Sequence, residues 1–288
     1  MEQITKKQHF VPEFYFKNFY GSNKKVCDYE LKHKSYSYKT AGQICYKHFL
    51  YETPWENNQG ALGDFVQTNS IENHFRDRES VYRPLVNKVI ENLSNNGDLF
   101  LNWDELNVIA EFVSNLFFRN PAIIRMSNVD KLTDEDYKIK GVNEIKFLIE
   151  MTGVGELDPI LKAAKYHELV DDSLKGSYPD KMKQLLKSMR LTFLIAQESN
   201  FITSNQPVAV KVDDKGDLQS LFLPISPKIS LTYNPIGIIK NVVKLPPFVV
   251  YSINKIYLND CRTGITNLYA QNKKDIENVL KFRGEIND

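Results

Sequence analysis

The sequence predicts an α+β fold with a small N-terminal antiparallel hairpin module, a helical middle and a C-terminal, mostly antiparallel sheet covered by helices. Apolar residues tend to alternate within residues 1–65, recur every three or four positions within residues 66–190, and alternate again within residues 191–288. Alternation is typical of half-buried strands, whereas a period of three to four residues is typical of amphipathic helices. We therefore expect a single domain, residues 1–288, with these three subregions.

The opening segment, residues 8–19, is rich in aromatic side chains, and we expect it to be buried. Pro12 biases Val11 toward extended geometry and suits the first position of a helix, so a short helix is predicted over residues 13–19. His9 then lies just outside this helix, among aromatic neighbours. The rest of the chain is predicted to be organised around this segment.

Turn residues separate the remaining elements of the N-terminal module. A module of this size is too thin to be stable alone. In chain order its predicted elements are a strand over residues 25–31, a strand over residues 35–39 that completes a hairpin, an aromatic run at residues 45–51 and a flexible loop at residues 54–64.

The helical middle begins at Ser70, a predicted N-cap, with Glu72 in the first turn, where the helix dipole favours an acid. Pro84 predicts a kink or break near Arg83, and the Asn-Asn-Gly sequence at residues 95–97 suits a left-handed helix end. Apolar periodicity predicts further helices. They cover residues 104–119, which is the clearest helix of the chain, and residues 142–151, 159–170 and 180–190.

The C-terminal subregion has the pattern of short strands separated by proline and glycine turns. The predicted strands cover residues 191–196, 200–203, 207–212, 221–223 and 228–232. Helices are predicted over residues 249–261 and 273–282, the first of them after a Pro-Pro pair.

The composition is that of a globular protein, with 42% hydrophobic and 12% aromatic residues and a formal net charge of +1. A net charge so close to zero gives no global electric field to attract nucleic acid, but it does not exclude a local basic groove. The first residues lack the apolar core of a secretory signal, and the apolar runs are shorter than a membrane span, so we expect a cytoplasmic chain with no membrane partner. Cys27, Cys45 and Cys261 have neither disulfide nor zinc spacing and are predicted core residues.

One helix carries a continuous polar ribbon whose members are spaced four residues apart: Asn107, Glu111, Asn115 and Arg119. On a helix so apolar elsewhere, the ribbon must point to solvent, to a neighbour or into a cavity. Arg119 has two interpretations. A cation at a helix C-terminus is favourable to the dipole without a further role, or its guanidinium holds a phosphate or carboxylate through two hydrogen bonds.

His9 and Glu72 also have a chemical and a structural interpretation. His9 can act as a general base or metal ligand because imidazole titrates near neutrality, whereas a lone histidine among aromatic rings is more often a satisfied core or surface residue. Glu72 can take part in catalysis, whereas Arg76 and Glu79 on the same helix would complete an ordinary surface ion-pair ladder with it.

Several of these residues carry a resemblance to a known family. Residues 7–19 read Lys-Gln-His-Phe-Val-Pro-Glu-Phe-Tyr-Phe-Lys-Asn-Phe, which resembles the Lys-Gln-His-Tyr-Val-Pro-x-Phe-Tyr-Leu-x-Asn-Phe opening of the bacterial domain of unknown function 4238 family. The resemblance spans nearly the whole chain and strengthens the choice of residues, but it implies no chemistry because the family has no assigned activity. Agreement continues at Ser70-Ile71-Glu72, at Arg119-Asn120-Pro121 and at residues 201–207 and 223–227.

The segment at residues 203–207 lies between two predicted strands, and its short polar side chains can hydrogen-bond the backbone of a turn. In the resembled family an aspartate usually stands where this chain has Asn205. An asparagine accepts hydrogen bonds but supplies neither a base nor the negative charge that a divalent cation prefers. If the aspartate is a metal ligand or base in the family, the exchange weakens or removes that role in this chain. If the aspartate only forms a turn, the exchange is nearly silent.

The first predicted function is a nuclease-like enzyme of a toxin or antiviral defence type that hydrolyses phosphodiester bonds. The sequence does not specify a cofactor, and a divalent cation, Mg or Mn, is the candidate. His9 is the predicted base, Glu72 or Glu111 holds the cation, and Arg119 holds the phosphate. The predicted substrate-binding residues are Gln8, Asn115, Ser204, Asn205 and Asn259.

The alternative is a non-catalytic module that binds a nucleotide, single-stranded nucleic acid or a peptide, with bases stacking on rings such as Phe10, Tyr15 or Tyr36. A structural partner of another protein, or of a second copy of the chain, is the third interpretation. The enzyme hypothesis requires His9, Arg119 and Asn205 to meet around a concave polar pocket.

Overall fold

The α+β class is confirmed by a computed structural model, in which strands gather toward both ends of the sequence and helices lie between them. The structure describes residues 5–54, 65–66, 69–95, 97–126, 132–139, 141–153, 156–213, 218–235, 241–259 and 264–282. Most of the predicted loop at residues 54–64, and Cys261, fall outside these residues.

The N-terminal segment forms a strand, a short helix and the predicted hairpin. Pro12 is extended, with a ψ of 139°, so it precedes the helix instead of taking its first position. The helix is also shorter than predicted, because residues 18 and 19 continue as a turn. The elements are β1 (Lys7–His9), α1 (Glu13–Lys17), β2 (Val26–Glu30), β3 (Ser35–Lys39), β4 (Tyr46–His48), β5 (Thr53–Pro54) and β6 (Phe65–Val66).

The middle of the chain is helical, as predicted, with one short helix that the pattern did not show. This helix, α4, starts at a proline, which suits a first helical position because its missing N–H needs no partner there. The helices are α2 (Ser70–Asn95), α3 (Trp103–Phe118), α4 (Pro121–Met126), α5 (Val142–Thr152), α6 (Leu157–Leu174) and α7 (Ser177–Ser188).

The ends of α2 and α3 show how local sequence places a helix. Ser70 is the first residue of α2 rather than its cap, and α2 runs on through Pro84, so a break near Arg83 is wrong and a kink there stays a prediction. Burial of one apolar stripe on both sides of the proline supports the helix where a backbone hydrogen bond is lost. The start of α3 is fixed by Asn102, whose side chain accepts from the backbone of Glu105 while Glu105 bonds back in a capping box.

The C-terminal part contains two strands that the sequence pattern did not predict, β12 and β13, and a predicted helix that is divided at Lys255. Residues 200–202, predicted as strand, lead into β8 instead, and the backbone N–H of Ile202 donates to the Asn254 side chain. The elements are β7 (Arg190–Ala196), β8 (Thr203–Ser204), β9 (Ala209–Val212), β10 (Leu218–Pro224), β11 (Ile229–Asn234), β12 (Val242–Leu245), α8 (Pro247–Asn254), α9 (Ile256–Asn259), β13 (Asn267–Ala270) and α10 (Lys273–Lys281).

Two larger sheets result from this order. One has the strand order β12-β7-β11-β10-β9 and is antiparallel except for the parallel pair of β12 with β7. The other has the order β3-β2-β13-β8, so the N-terminal hairpin continues into strands from the C-terminal part. This pairing brings the first and last parts of the sequence side by side.

The opening segment is buried, as predicted. Tyr15, Phe16 and Phe19 are fully inaccessible to solvent. The Tyr15 hydroxyl lies 2.7 Å from Oγ1 of Thr203 and donates to the backbone oxygen of Pro224 at 2.6 Å. Because a buried hydroxyl needs partners, these bonds fix α1 against the two sheets.

The two cysteines that the structure describes are buried free thiols, in line with their predicted role as core residues. Burial raises the pKa of Cys27 to about 11 and raises that of Cys45 further, so both stay protonated near neutrality. Within the described part of the chain, no helix combines the length and the apolar character that crossing a membrane requires.

Candidate functional site

Three segments that are far apart in sequence meet at one place: the end of β1, the C-terminal end of α3 and the turn at residues 203–207. The guanidinium of Arg119 donates to the backbone oxygen of His9 at 2.6 Å. The amide of the next residue, Asn120, donates to the Gln206 side chain at 2.5 Å. The three segments are therefore adjacent. The cavity at the turn is lined by Asn205 but by neither His9 nor Arg119, so the meeting of these three residues around one polar pocket stays a prediction.

Arg119 is the centre of a buried network, and only 3% of the residue is exposed. Besides His9, it forms a salt bridge to Oε1 of Glu79 at 2.7 Å and donates through Nε to the hydroxyl of Tyr51 at 3.4 Å. Its guanidinium also lies 4.0 Å from the centre of the Phe75 ring. All three nitrogens thus have protein partners, and the predicted phosphate contact would require these bonds to be exchanged.

The electrostatics of this network keep Arg119 charged. Burial alone disfavours the charged form, but Tyr51 and Glu79 outweigh that effect and raise the pKa of Arg119 above its ordinary value. Burial also raises the pKa of Tyr51 to about 12, so its hydroxyl is neutral and donates to the backbone oxygen of His9 at 3.0 Å. Arg119 and Tyr51 together fix the backbone of His9.

Glu72 lies near this network but is not held by it. Its Oε2 is buried and has no hydrogen-bond partner within the described residues. Burial raises the pKa of Glu72 to about 7, Arg119 opposes the rise, and Glu79 and Glu52 add to it. Among the residues that the structure describes, Glu72 forms no ion pair of the predicted ladder: Arg76 approaches Asp77, and Glu79 pairs with Arg119. Glu72 is therefore a carboxyl that exchanges its proton near neutral pH.

His9 resembles Glu72 in having a buried atom, Nε2, without a hydrogen-bond partner in the described part of the chain. The nearest acid, Glu13, has an oxygen 3.8 Å from Nε2, too far for a hydrogen bond. Burial lowers the pKa of His9, Glu13 opposes this, and Lys7 and Arg119 lower the pKa further. The imidazole is therefore neutral near pH 7 and has a nitrogen able to accept a proton.

Gln8, a predicted substrate-binding residue, is fully buried and serves the interior instead. Its amide nitrogen donates to Glu52 at 2.8 Å, and its oxygen accepts from the backbone N–H of Tyr51 at 2.8 Å. The backbone N–H of Asn69 also donates to Glu52, at 3.3 Å. These bonds tie β1 to the start of α2 and position Tyr51 beside Arg119.

Glu111 and Asn115 face α2, so the polar ribbon of α3 points mainly to a neighbouring helix. Glu111 forms a salt bridge to Arg78 and accepts a hydrogen bond from the hydroxyl of Tyr82 at 2.9 Å. The amide of Asn115 donates to the same hydroxyl. With these partners, Glu111 and Asn115 join α2 to α3, and their roles in catalysis, metal binding and substrate binding stay predictions.

Ser204 and Asn205 form the turn that the sequence allowed as an alternative to substrate binding. The hydroxyl of Ser204 accepts from the backbone N–H of Gln206 at 3.0 Å. Oδ1 of Asn205 accepts from the backbone N–H groups of Thr266 and Asn267 at 2.8 Å and 3.0 Å. Asn205 thereby holds the segment before β13. Asn259 is the last residue of α9, and its side chain is outside the described part of the structure.

A cavity of about 330 Å³ opens where the opening segment and this turn meet. Four carboxamide side chains line it, together with three aromatic rings, a lysine and a threonine. Nε2 of Gln206 lies 3.5 Å from where a Cβ on Gly264 would stand, so the absence of a side chain at Gly264 leaves room beside this amide. The polar and aromatic lining residues are Phe10, Tyr46, Lys47, Asn120, Asn205, Gln206, Thr266, Asn267 and Tyr269.

His9 adjoins this cavity through its ring. The centres of the His9 and Tyr46 rings are 5.7 Å apart, and Tyr46 forms part of the cavity wall. Nζ of Lys7 lies 3.8 Å from the centre of the same tyrosine ring. The cavity therefore has the candidate base and a cation close to one of its walls.

Residues 7–274 match the family described as "Protein of unknown function (DUF4238)". The chain belongs to this family. The match covers every element from β1 to the beginning of α10, so it supports the resemblance seen in the opening segment. No curated protein and no solved structure matches the chain.

Several residues of this DUF4238 site were not among the predicted site residues. Tyr51, Glu52 and Glu79 complete the network around Arg119, and Gln206 lines the cavity. The sequence could have indicated Glu79, because it lies seven residues after Glu72 and therefore on the same face of one helix. Tyr51, Glu52 and Gln206 lie in irregular or short elements, where spacing does not predict a shared face.

The described residues contain no group of three or more His, Cys, Asp and Glu side chains that could hold a metal ion. Glu72 and Glu79 both lie near Arg119 in this DUF4238 protein, but Glu79 is already paired with it. Asn205, at the position where the family pattern has an aspartate, is occupied by backbone hydrogen bonds. The chemistry that these residues offer directly is hydrogen bonding in the cavity and proton exchange at His9 and Glu72.

Proposed function

We propose that this DUF4238 protein binds a nucleotide unit, free or within single-stranded nucleic acid, in the amide-lined cavity. The observation that carries the proposal is the lining itself: four carboxamides and aromatic rings enclose a space of about 330 Å³. Carboxamides both donate and accept, as the edge of a base requires. This volume also falls within the usual range of small-ligand sites.

Charge around the cavity is consistent with a phosphate-bearing ligand. Lys47 belongs to the lining, and Lys7 lies against the Tyr46 ring at its wall. A local pair of cations suffices for one phosphate although the net charge of the chain is only +1. The cytoplasm, where nucleotides and nucleic acids are available, is the compartment that this proposal implies.

A cavity-filling substitution tests the proposal. Ala122, on α4, lines the cavity, and Ala122→Leu would fill part of it without removing a hydrogen-bonding side chain. Binding of mononucleotides and of a fluorescent single-stranded oligonucleotide is measured by calorimetry and anisotropy. We expect Ala122→Leu to weaken binding by about tenfold or more, because a methylene-sized overlap already costs about 1–3 kcal/mol.

The matched control is Ala164→Leu, which makes the same exchange at an exposed position of α6. It should bind like the unmodified protein. Absence of nucleotide binding by the unmodified protein, or equal binding by both variants, would refute the proposal.

A second candidate, cleavage of phosphodiester bonds, rests on His9. Its unpartnered Nε2 and lowered pKa suit a general base that takes the proton from an attacking hydroxyl or water. The oxygen then attacks phosphorus, and the bond from phosphorus to the leaving oxygen breaks with transfer of a proton to that oxygen. Glu72, with a pKa of about 7, is the other nearby group that carries a proton near neutrality. Such a reaction would suit a toxin or an antiviral protein.

This candidate is tested with single-stranded and duplex RNA and DNA, with magnesium or manganese and with a chelator. We expect His9→Ala to lower the cleavage rate by about a hundredfold or more, the usual effect of a general base. The rate should rise with pH through a value below 6.5, since the neutral imidazole is the active form. His33→Ala is the control, because His33 is exposed and pairs with Glu30. Equal rates in His9→Ala and His33→Ala would remove His9 from the reaction.

A further inference from the structure

A second cavity, of about 340 Å³, lies near the N-terminal end of α3 and is independent of the site described above. Its walls are mostly apolar and come from the segment before α3, from α3 itself, and from α7 and β7. Leu101, Leu106, Leu186 and Leu191 contribute to them. A space of this size with apolar walls is typical of a small-molecule site.

The polar groups of this second cavity are few and specific. Oδ1 of Asn107 is buried and has no hydrogen-bond partner among the residues that the structure describes. Leaving a buried acceptor unpaired is unfavourable, so a ligand that donates a hydrogen bond to it would remove that cost. Lys187 and Arg190 also line the cavity, and none of the lining residues that the structure describes is acidic. The cavity therefore favours a negatively charged ligand.

Two large aromatic residues at this cavity are unusually accessible. Trp103 is 64% exposed and Phe100 is 86% exposed. Nζ of Lys187 is 5.6 Å from the centre of the Trp103 ring, which places a cation beside an aromatic surface. Exposed aromatic rings around a concave apolar site offer stacking area to a planar ligand.

We propose that this second cavity binds a small amphipathic anion: an aromatic ring system with an N–H or O–H donor and an anionic head group. The ring packs against the leucine side chains and Trp103, the donor bonds Oδ1 of Asn107, and the head group lies near Lys187 and Arg190. Asn107 and Asn120 are thirteen residues apart, so along α3 the two sites are separated by about 20 Å at 1.5 Å per residue.

Two fluorescent probes with related ring systems test the proposal. 1-Anilinonaphthalene-8-sulfonate carries an aromatic amine N–H and a sulfonate, whereas N-phenyl-1-naphthylamine has the amine and lacks the charge. We expect one saturable site for the sulfonate on the folded protein. The neutral probe should bind about tenfold more weakly, because it lacks attraction to the two cations. Binding of both probes with equal affinity would refute the charge requirement.

Substitutions then locate the site. Lys187→Gln should weaken sulfonate binding about fivefold or more and leave the neutral probe unchanged, since one charged contact is lost. The control is Lys181→Gln on the same helix, because Lys181 is outside the lining and contacts Tyr178. Equal sulfonate affinity in Lys187→Gln and Lys181→Gln would place the probe elsewhere and overturn the proposal.

Asn107→Leu tests the hydrogen bond, and its fold should be preserved because it removes an unpaired buried acceptor. Both probes should bind about tenfold more weakly to it, since both carry the amine and the new side chain narrows the cavity. Ala122→Leu, which fills the first cavity, should leave sulfonate binding unchanged. Loss of sulfonate binding in Ala122→Leu, or its retention in Asn107→Leu, would refute a separate second site.

Discussion

Replacing Glu72 with glutamine is expected to stabilise the protein above neutral pH and to leave its stability almost unchanged in mild acid. Burial raises the pKa of this carboxyl from 4.5 to about 7, while Arg119 opposes the rise and Glu79 and Glu52 add to it. Oε2 of Glu72 has no hydrogen-bond partner within the described residues. The ionised carboxylate is therefore destabilising to the fold, and a neutral amide of the same shape is not.

The magnitude follows from linkage between proton binding and folding. Because the pKa is higher in the folded state, that state binds more protons between pH 4.5 and about pH 7, and stability falls as the pH rises through this window. A pKa difference of one unit corresponds to about 1.36 kcal/mol. The rise from 4.5 to about 7 therefore means that the ionised carboxylate lowers the free energy of unfolding by about 3 kcal/mol. Water reaches part of the side chain and screens this cost, so we expect about 2 kcal/mol.

Urea unfolding of the unmodified protein and of Glu72→Gln, from about pH 5 to about pH 8, measures the effect. The free energy of unfolding of the variant should exceed that of the unmodified protein by about 2 kcal/mol at the upper end and by little at the lower end. Glu91→Gln, at an exposed position of the same helix, is the control and should show no such trend. A destabilised Glu72→Gln at high pH would show that the carboxylate is ionised and partnered, as a metal ligand would be, and would refute the reasoning.

Three further predictions concern the contacts that assemble the site. Arg119→Met should lower the free energy of unfolding by about 3 kcal/mol, because it leaves Glu79 without its salt bridge. Its control is the exposed Arg76→Met, which should change that free energy by less than about 0.5 kcal/mol. A small loss for Arg119→Met would contradict the network. Tyr15→Phe should cost about 1–3 kcal/mol in the same urea assay through its lost hydroxyl bonds, and a cost below about 0.5 kcal/mol would contradict it. Asn205→Asp should keep stability within about 0.5 kcal/mol of the unmodified protein at neutral pH, because a carboxylate accepts the same two backbone N–H bonds; a larger loss in thermal unfolding would contradict a turn-forming role.

The elements that the sequence predicted well are those whose patterns are local. The hairpin strand Ser35–Lys39 has the predicted bounds, and α3 differs from its predicted bounds by one residue at each end. Both have strong periodicity and turn or cap residues at their ends. In α3 one face is buried and the other is exposed, and periodicity records that difference. The strand β3 has no buried residue, and its bounds follow from the turn residues beside it and from its pairing with β2.

The missed elements depend on partners that are distant in sequence. The four-residue strand β13 is too short for its pattern to stand out, and it exists by pairing with β2 and β8. In the same way, residues 200–202 have strand-like composition, but the backbone of Ile202 bonds to a side chain of α8. A single sequence does not specify which of several short apolar segments pair, so these contacts had to come from the structure.

The candidate site divides in the same way between what spacing records and what packing decides. Spacing of four residues predicted that the polar groups of α3 share a face, and Glu111, Asn115 and Arg119 all contact α2. It did not predict that Arg119 would be saturated by protein partners, because Tyr51 and the backbone of His9 come from another part of the chain. Whether a predicted polar residue faces a ligand or a protein partner thus depends on the segment that packs against its helix, and the sequence of its own helix does not record this.

The position of Arg119 gives it a specific relation to His9. Its guanidinium donates a hydrogen bond to the backbone oxygen of His9 and forms none with the imidazole. It therefore fixes the backbone that carries the ring and leaves Nε2 able to accept a proton. Burial lowers the pKa of His9 most, and this guanidinium lowers it further, so the imidazole is unprotonated at neutral pH. If His9 acts as a base, Arg119 is therefore a positioning residue. Its loss should lower the rate and raise the pH at which the rate reaches half its maximum, with substrate affinity unchanged. Loss of a phosphate-binding arginine would instead lower substrate affinity.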